Sequence, residues 1–310
     1  MSLARLLASS AIALCAACPG SVKAEMEGHF APFGESKVHY RSIGAGAEAL
    51  IFVHGWTCDS TCWRAQIDAF PGYRVIALDL PGHGRSEKPH VDYTITLFAQ
   101  AIEAAMRDAA IEKAVLIGHS MGAPVVREFY RLFPERTTAL VIVEGALRTM
   151  LSRDQAERLQ AQLRADYAGG ARRMVDGMLA PMRDETIRNQ IRATMLATPD
   201  YVALSAMRSM SDEQSYGLDP IRVPLLAVLA KSPFWQPDTE GFLRSVAPDL
   251  EFHMMEDVSH FLMLDKPSEF NTLLREFLLK DKQSQLPERE KREKGAVLGK
   301  CSFLLVQKAV

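Results

Sequence analysis

The stretch Gly118-His119-Ser120-Met121-Gly122 determines how this chain is interpreted. It has the form Gly-x-Ser-x-Gly, it directly follows the apolar run 114–117, and the helix-compatible run 123–133 comes after it. A serine at a sharp turn between a strand and a helix presents its hydroxyl to a substrate, and flanking glycines keep side chains out of that turn. The context therefore predicts that Ser120 is a nucleophile. The alternative is a glycine-rich loop with an exposed serine.

Short runs rich in valine, isoleucine and leucine recur along the chain and alternate with helix-like segments. Runs of this length without polar alternation are typical of strands buried on both faces. Their alternation with helices predicts an α/β fold with a mostly parallel central sheet flanked by helices. The predicted strands are residues 50–53, 74–78, 114–117, 139–143, 225–229 and 250–254, with an earlier edge strand at 38–42. Helices are predicted at residues 96–109 and 267–279.

The segment from residue 147 to about 214 contains no strand-like run and is rich in arginine, methionine, alanine, glutamine and leucine. It predicts several short helices inserted between two strands, over the strand ends where open α/β sheets bind ligands. Seven methionines of this insert either line a flexible apolar pocket or pack the helices together. They are Met150, Met174, Met178, Met182, Met195, Met207 and Met210.

The two ends of the chain differ from the rest. Arg5 precedes the apolar run 6–17, and small residues up to Ala24 offer a cleavage site, so residues 1–24 are interpreted as a secretory signal peptide. The run is too short to span a bilayer permanently. We therefore expect an exported protein, periplasmic or secreted, with lipoprotein anchoring at Cys18 or an N-terminal helix as alternatives. Residues 281–294 are almost wholly polar or charged, so we expect a disordered tail at 281–310.

Composition narrows the function classes. A length of 310 residues accommodates one large α/β domain, expected here at 25–280, or two small ones. A net charge of −2 gives no indication of a nucleic-acid partner, and the five cysteines show no zinc-site spacing. We therefore expect a small-molecule substrate, no metal and no cofactor; the oligomeric state stays open. Cys58 and Cys62 could form a disulfide in an oxidising compartment, or remain buried free thiols.

A serine nucleophile requires a base and two N–H donors for the oxyanion. His260 lies shortly after the last strand-like run, at the end of the sheet where ligands bind, and is predicted to be the base. A solvated loop histidine is the alternative. The residue after the nucleophile, Met121, is expected to supply one backbone donor, and Trp56, in the loop after strand 50–53, the other.

Four segments together resemble the α/β-hydrolase superfamily, in its capped, esterase-like form. They are His54-Gly55-Trp56, residues 79–86, residues 118–122 and Val258-Ser259-His260-Phe261, in family order across about residues 30–280. The resemblance implies the α/β-hydrolase fold with a helical cap inserted after the sixth strand, at about 146–216. It also implies structural roles for Asp79 and His83. Serine rather than aspartate at position 120 argues against dehalogenase and epoxide hydrolase chemistry.

The third member of the expected catalytic triad departs from the family pattern. The acid usually follows the strand predicted at 225–229, but this chain has Ala230-Lys231-Ser232-Pro233 there, and its next carboxylate is Asp238. Glu144 directly follows the strand predicted at 139–143, and some family members resemble that arrangement. A glutamate at a strand end needs a partner, which a histidine supplies. Glu144 is therefore the preferred acid, with Asp238 as the alternative and no functional acid as the third interpretation.

These residues predict a serine hydrolase that cleaves a small to medium apolar carboxylic ester or lactone through an acyl-enzyme. Three alternatives stay open at this point. The same scaffold supports hydrolysis of carbon–carbon bonds and cofactor-free perhydrolysis, and a ligand-binding protein without turnover would also fit a missing acid.

Overall fold

The computed structural model of the protein describes residues 27–46 and 48–284. The signal peptide predicted at 1–24, together with Cys18, lies outside the described residues. So does the part of the predicted tail after residue 284.

One sheet of eight strands, in the order β1-β2-β4-β3-β5-β6-β7-β8, forms the centre of the described structure. The pairs β1/β2 and β2/β4 are antiparallel, and all other neighbouring pairs are parallel. The strands are β1 (Glu27–Phe33), β2 (Ser36–Ile43), β3 (Ala49–Val53), β4 (Arg74–Leu78), β5 (Ala114–His119), β6 (Thr137–Val143), β7 (Leu225–Ala230) and β8 (Leu250–Met255).

The predicted α/β fold with a mostly parallel sheet is confirmed. Every residue of β3, β5 and β7 is buried, which explains why these strands show apolar runs without alternation. One expectation was wrong: the strand predicted at 38–42 is not at the edge. It belongs to β2, and β1 pairs with it from the outside through a two-residue turn at Gly34 and Glu35, where Gly34 has a φ of 59°.

The helices alternate with the parallel strands and cover the sheet. They are α1 (Ile95–Asp108), α2 (Gly122–Leu132), α3 (Arg153–Ala165), α4 (Tyr167–Leu179), α5 (Glu185–Leu196), α6 (Asp200–Met210), α7 (Thr239–Val246), α8 (Leu262–Asp265) and α9 (Pro267–Ser284). Helix α2 starts at the end of β5 and packs on β5 and β6. Within residues 27–46 and 48–284, no helix combines the length and the apolar character needed to cross a membrane.

Helices α3 to α6 lie between β6 and β7, in the segment where the sequence predicts a cap. Their connection to the sheet loops is polar and specific. Thr198 Oγ1 donates to the carbonyl of Thr57 at 3.0 Å, and the hydroxyl of Tyr201 donates to the carbonyl of Lys88 at 2.6 Å. These two bonds attach one end of the cap to the loops that follow β3 and β4. That end consists of α6 and the turn before it.

The last helix extends further than predicted. Helix α9 continues to Ser284, so residues 281–284 are helical rather than part of a disordered tail. Phe277 and Leu278 are buried on this helix, and Asp281, one turn later, is also buried. The apolar face that starts with Phe270 therefore carries the helix past the point where the sequence becomes polar.

Cys58 and Cys62 are buried free thiols in the structure. Burial raises the pKa of both thiols well above the usual value. The two side chains are therefore protonated at neutral pH and behave as small apolar groups.

Asp79 holds the turn after β4 through three hydrogen bonds. Its carboxylate accepts from the backbone N–H of Ser60 at 2.7 Å, from that of Arg85 at 2.9 Å and from His39 Nδ1 at 2.8 Å. Burial alone would raise the pKa of Asp79, but the hydrogen bonds from His39, Arg85 and Ser60 outweigh it and hold the pKa below its usual value. Burial also lowers the pKa of nearby His83 to about 3, so this ring is neutral.

We predict that Asp79→Asn lowers the free energy of unfolding by at least about 2 kcal/mol, because buried donors lose a charged acceptor. Since folding lowers this pKa, the carboxylate's contribution is complete above the unfolded-state pKa and declines as the pH falls toward the folded-state pKa. The difference from wild type in urea unfolding should be constant above about pH 5 and shrink below about pH 4.

The matched control is Asp92→Asn, which removes an exposed ion pair with Arg208. An exposed pair contributes at most about 1 kcal/mol. Equal destabilisation by the two substitutions would contradict the role assigned to Asp79.

Candidate active site

Ser120 occupies a strained turn between β5 and α2. Its φ is 53°, a left-handed conformation that is unfavourable for a residue with a side chain, and its N–H donates to the carbonyl of Val143 at 2.9 Å. Gly118 is required here because a Cβ at this position would collide with the carbonyl oxygen of Gly122. The turn therefore has the geometry of a nucleophile elbow.

Glu144 sits at the corresponding place after β6, with a φ of 48°. Its backbone N–H donates to the carbonyl of Val228 at 3.0 Å, and its side chain is 6% exposed. Oε2 accepts a hydrogen bond from His260 Nδ1 at 3.1 Å. Oε1 accepts from Trp235 Nε1 at 3.0 Å and from the backbone N–H of Ala230. This buried carboxylate has donors on both oxygens.

Asp238, the alternative acid, lies elsewhere. Its side chain is 68% exposed and forms a two-point ion pair with Arg148, at 2.5 and 3.0 Å. It precedes α7 and points to solvent rather than to the imidazole. The structure therefore brings Glu144, and not Asp238, to His260.

His260 is held by its backbone as well as by its ring. Its N–H donates to the carbonyl of Met178 in α4 at 3.4 Å, and its carbonyl accepts from His119 Nε2 at 2.7 Å. Because the Nδ1 atom faces Glu144, the Nε2 atom is the nitrogen left for a serine hydroxyl. Ser120 and His260 line the same cavity.

His119 is the residue whose role the sequence did not indicate, although it lies inside the pentapeptide. A carbonyl only accepts, so His119 Nε2 carries a proton and donates to the backbone of His260. Burial holds the pKa of His119 well below its usual value, which keeps the ring neutral. Its ring also packs against Phe261 and Trp63. Such a backbone contact has no signature in the sequence.

The backbone N–H groups of Trp56 and Met121 have no acceptor among the described residues, and both residues line the cavity that contains Ser120. Gly55 brings the first close, because a Cβ there would lie 2.9 Å from Ser120 Cβ. The indole N–H of Trp56 donates to the carbonyl of Ala203 in α6 at 2.9 Å, which ties this loop to the cap. The two backbone groups are therefore placed as donors for an oxyanion.

The cavity in front of Ser120 has a volume of about 250 Å³ and is predominantly apolar. Five of the seven cap methionines line it, whereas Met182 and Met195 pack in the hydrophobic core. Those on the wall are Met150, Met174, Met178, Met207 and Met210. Among the described residues that line it, Glu144 and His260 are the only ones with an ionisable acid or base group besides Tyr216. No lysine or arginine of residues 27–46 and 48–284 is part of this wall.

Among residues 27–46 and 48–284, no group of three or more histidine, cysteine, aspartate or glutamate side chains is arranged to hold a metal ion.

This chain belongs to the alpha/beta hydrolase family, whose family model matches residues 50–273, more than half of its length. The superfamily predicted from the four sequence segments is thereby confirmed. A relative in Paraburkholderia phymatum, named 2-hydroxy-6-oxononadienedioate/2-hydroxy-6-oxononatrienedioate hydrolase, is 28% identical over 265 residues, which cover 79% of this chain and 91% of the relative.

Two solved structures of similar fold are named as enzymes that act on lactones. An N-acyl homoserine lactone degrading enzyme has a TM-score of 0.69 and 24% identity, with 80% of this chain and 100% of that chain covered. The enol-lactonase from Burkholderia xenovorans has a TM-score of 0.72 and 21% identity, with 81% and 100% covered. At these identities the likeness shows the fold.

We predict that Glu144→Gln slows covalent labelling of Ser120 by a fluorophosphonate probe on the order of a thousandfold, because an amide cannot stabilise the imidazolium as a carboxylate does. The matched substitution Asp238→Asn removes only the exposed pair with Arg148 and should leave the rate near that of wild type. Labelling is measured by mass spectrometry over time. Slow labelling of Asp238→Asn together with fast labelling of Glu144→Gln would reverse the assignment of the acid.

Proposed function

We propose that this protein is a serine hydrolase that cleaves a small to medium, uncharged and apolar carboxylic ester or lactone through an acyl-enzyme. The observation that carries the proposal is the placement of Ser120, His260 and the Glu144 carboxylate at one end of an apolar cavity. Membership of the alpha/beta hydrolase family supports hydrolysis as the reaction class.

In the proposed reaction, Ser120 Oγ transfers its proton to His260 Nε2 as it attacks the acyl carbonyl. Glu144 Oε2 holds the Nδ1–H of the imidazole and stabilises the imidazolium that forms. The tetrahedral oxyanion lies against the N–H groups of Trp56 and Met121, which have no other acceptor among the described residues. His260 then protonates the leaving alcohol, and a water molecule releases the acid by the reverse sequence.

The charges of the cavity wall support an uncharged substrate. The described part of the wall contains the Glu144 carboxylate but no lysine or arginine. An anionic acyl group would be buried without a cationic partner, at a cost of several kcal/mol per ion. A neutral ester or lactone avoids this cost, and the methionine side chains adapt their shape to different acyl groups.

Hydrolysis of a carbon–carbon bond is the second candidate, since the Paraburkholderia phymatum relative is named as a hydrolase of a dienedioate. A dienedioate carries two carboxylates. The absence of lysine and arginine from the described cavity wall speaks against such a dianion. A neutral vinylogous diketone would remain compatible with the same serine, base and oxyanion donors.

We predict that kcat/KM for p-nitrophenyl esters rises about fourfold per added acyl methylene, until the cavity is filled. Burial of each methylene contributes about 0.8 kcal/mol, and about 1.4 kcal/mol corresponds to tenfold in rate. The measurement is a panel of esters of graded length with neutral lactones included. Ser120→Ala should lower kcat at least about a thousandfold.

The same panel of esters tests the preference for an uncharged acyl group. An acyl group that ends in a carboxylate should be cleaved at least about a hundredfold more slowly than the methyl-capped group of equal length. Faster turnover of a dienedioate than of any neutral ester would instead favour the carbon–carbon hydrolase. Failure of Ser120 to react with a fluorophosphonate would contradict both candidates.

A further inference from the structure

The segment after β7 does not supply the proposed acid in this chain, but it forms a hydrogen bond with that acid, Glu144. Trp235 of this segment donates to Glu144 Oε1, as does the backbone N–H of Ala230, the last residue of β7. The third hydrogen bond of the carboxylate is the one between Oε2 and His260. Two donors on Oε1 therefore leave Oε2 as the oxygen that faces the imidazole.

Glutamate has more side-chain torsions than aspartate, and ordering such a side chain costs up to about 2 kcal/mol of conformational entropy. A carboxylate that is to orient an imidazole therefore needs contacts that select one rotamer. The backbone N–H of Ala230 belongs to the sheet and approaches from one direction. The indole N–H of Trp235, 3.0 Å away, is the donor contributed by a side chain.

Trp235 is itself well fixed. The residue is 7% exposed, its backbone N–H donates to the carbonyl of Ser232 at 3.4 Å, and Phe234 packs edge-on against its ring at 5.2 Å between centroids. The preceding Lys231 N–H donates to the carbonyl of Met255 at 2.8 Å, which attaches the segment to β8. The indole is therefore a buried donor on a segment that is hydrogen-bonded to β8.

We infer that Trp235 is a positioning residue for the reaction, which acts through Glu144 by holding its Oε1 so that Oε2 orients His260. The inference rests on the proposed function, since it requires that Ser120 and His260 carry out hydrolysis. The ring of Trp235 also forms part of the cavity wall, so its contribution to substrate binding must be separated from its contribution to the acid.

The test is Trp235→Phe, which keeps an aromatic wall and deletes the N–H donor. Because the deleted hydrogen bond has a charged acceptor, we expect kcat to fall between about tenfold and a hundredfold and KM to change less. A second variant carries 3-benzothienylalanine at position 235, in which sulfur replaces the indole N–H at nearly constant shape. It should lose kcat to the same extent and keeps the test valid if Trp235→Phe folds poorly.

The decisive comparison repeats Trp235→Phe in a Glu144→Ala background, where no carboxylate remains to be held. We expect no further loss of kcat or of fluorophosphonate labelling rate there. An equal loss in both backgrounds, or wild-type kcat in both position-235 variants, would overturn the inference and leave the proposed function standing. A wild-type protein that neither labels nor hydrolyses neutral esters would overturn the proposed function and the inference with it.

Discussion

The hydrogen bond between His260 Nδ1 and Glu144 Oε2 is the interaction on which the candidate active site depends, because it determines which imidazole nitrogen is left for the serine. The bond requires that further contacts fix the positions of both Glu144 and His260. Glu144 is held by the backbone N–H of Ala230 at the end of β7 and by Trp235, and His260 is held through its carbonyl by His119. The neutral, buried ring of His119 is suited to this purpose, since it donates without adding a charge beside the base.

The proposed nucleophile and the proposed acid follow neighbouring strands, and one hydrogen bond couples their turns. Ser120 N–H donates to the carbonyl of Val143, the residue immediately before Glu144. Both Ser120 and Glu144 have left-handed backbones, which cost of order 1–3 kcal/mol each and persist only where the surrounding structure determines them. The fully buried strands β5 and β7 provide such surroundings. The distance between the two side chains is therefore determined by the register of the parallel sheet rather than by loops.

Local patterns in the sequence were sufficient to predict the parallel strands and the turn at Ser120, because turn residues and apolar runs are recognisable within a few positions. The choice between Glu144 and Asp238 could not be made in this way, since it depends on which carboxylate the folded sheet brings to His260. Strand β1 was missed because its sequence, Glu-Gly-His-Phe-Ala-Pro-Phe, mixes polar residues, glycine and proline and becomes a strand only by pairing with β2. Trp235 was unremarkable in the sequence for the same reason: its partner is 91 positions away.

The position of the cap in the chain has a consequence for how the site assembles. Glu144 precedes helices α3 to α6 and His260 follows them, so the bond between them closes a loop of 116 residues. Contacts between residues so far apart in the sequence form only after the intervening chain is ordered, because closing a long loop costs conformational entropy. A nascent chain that has completed β6 already contains the proposed nucleophile and acid but lacks the proposed base. The reactivity proposed for Ser120 therefore requires the completed fold, and we expect partially folded or truncated forms to lack it.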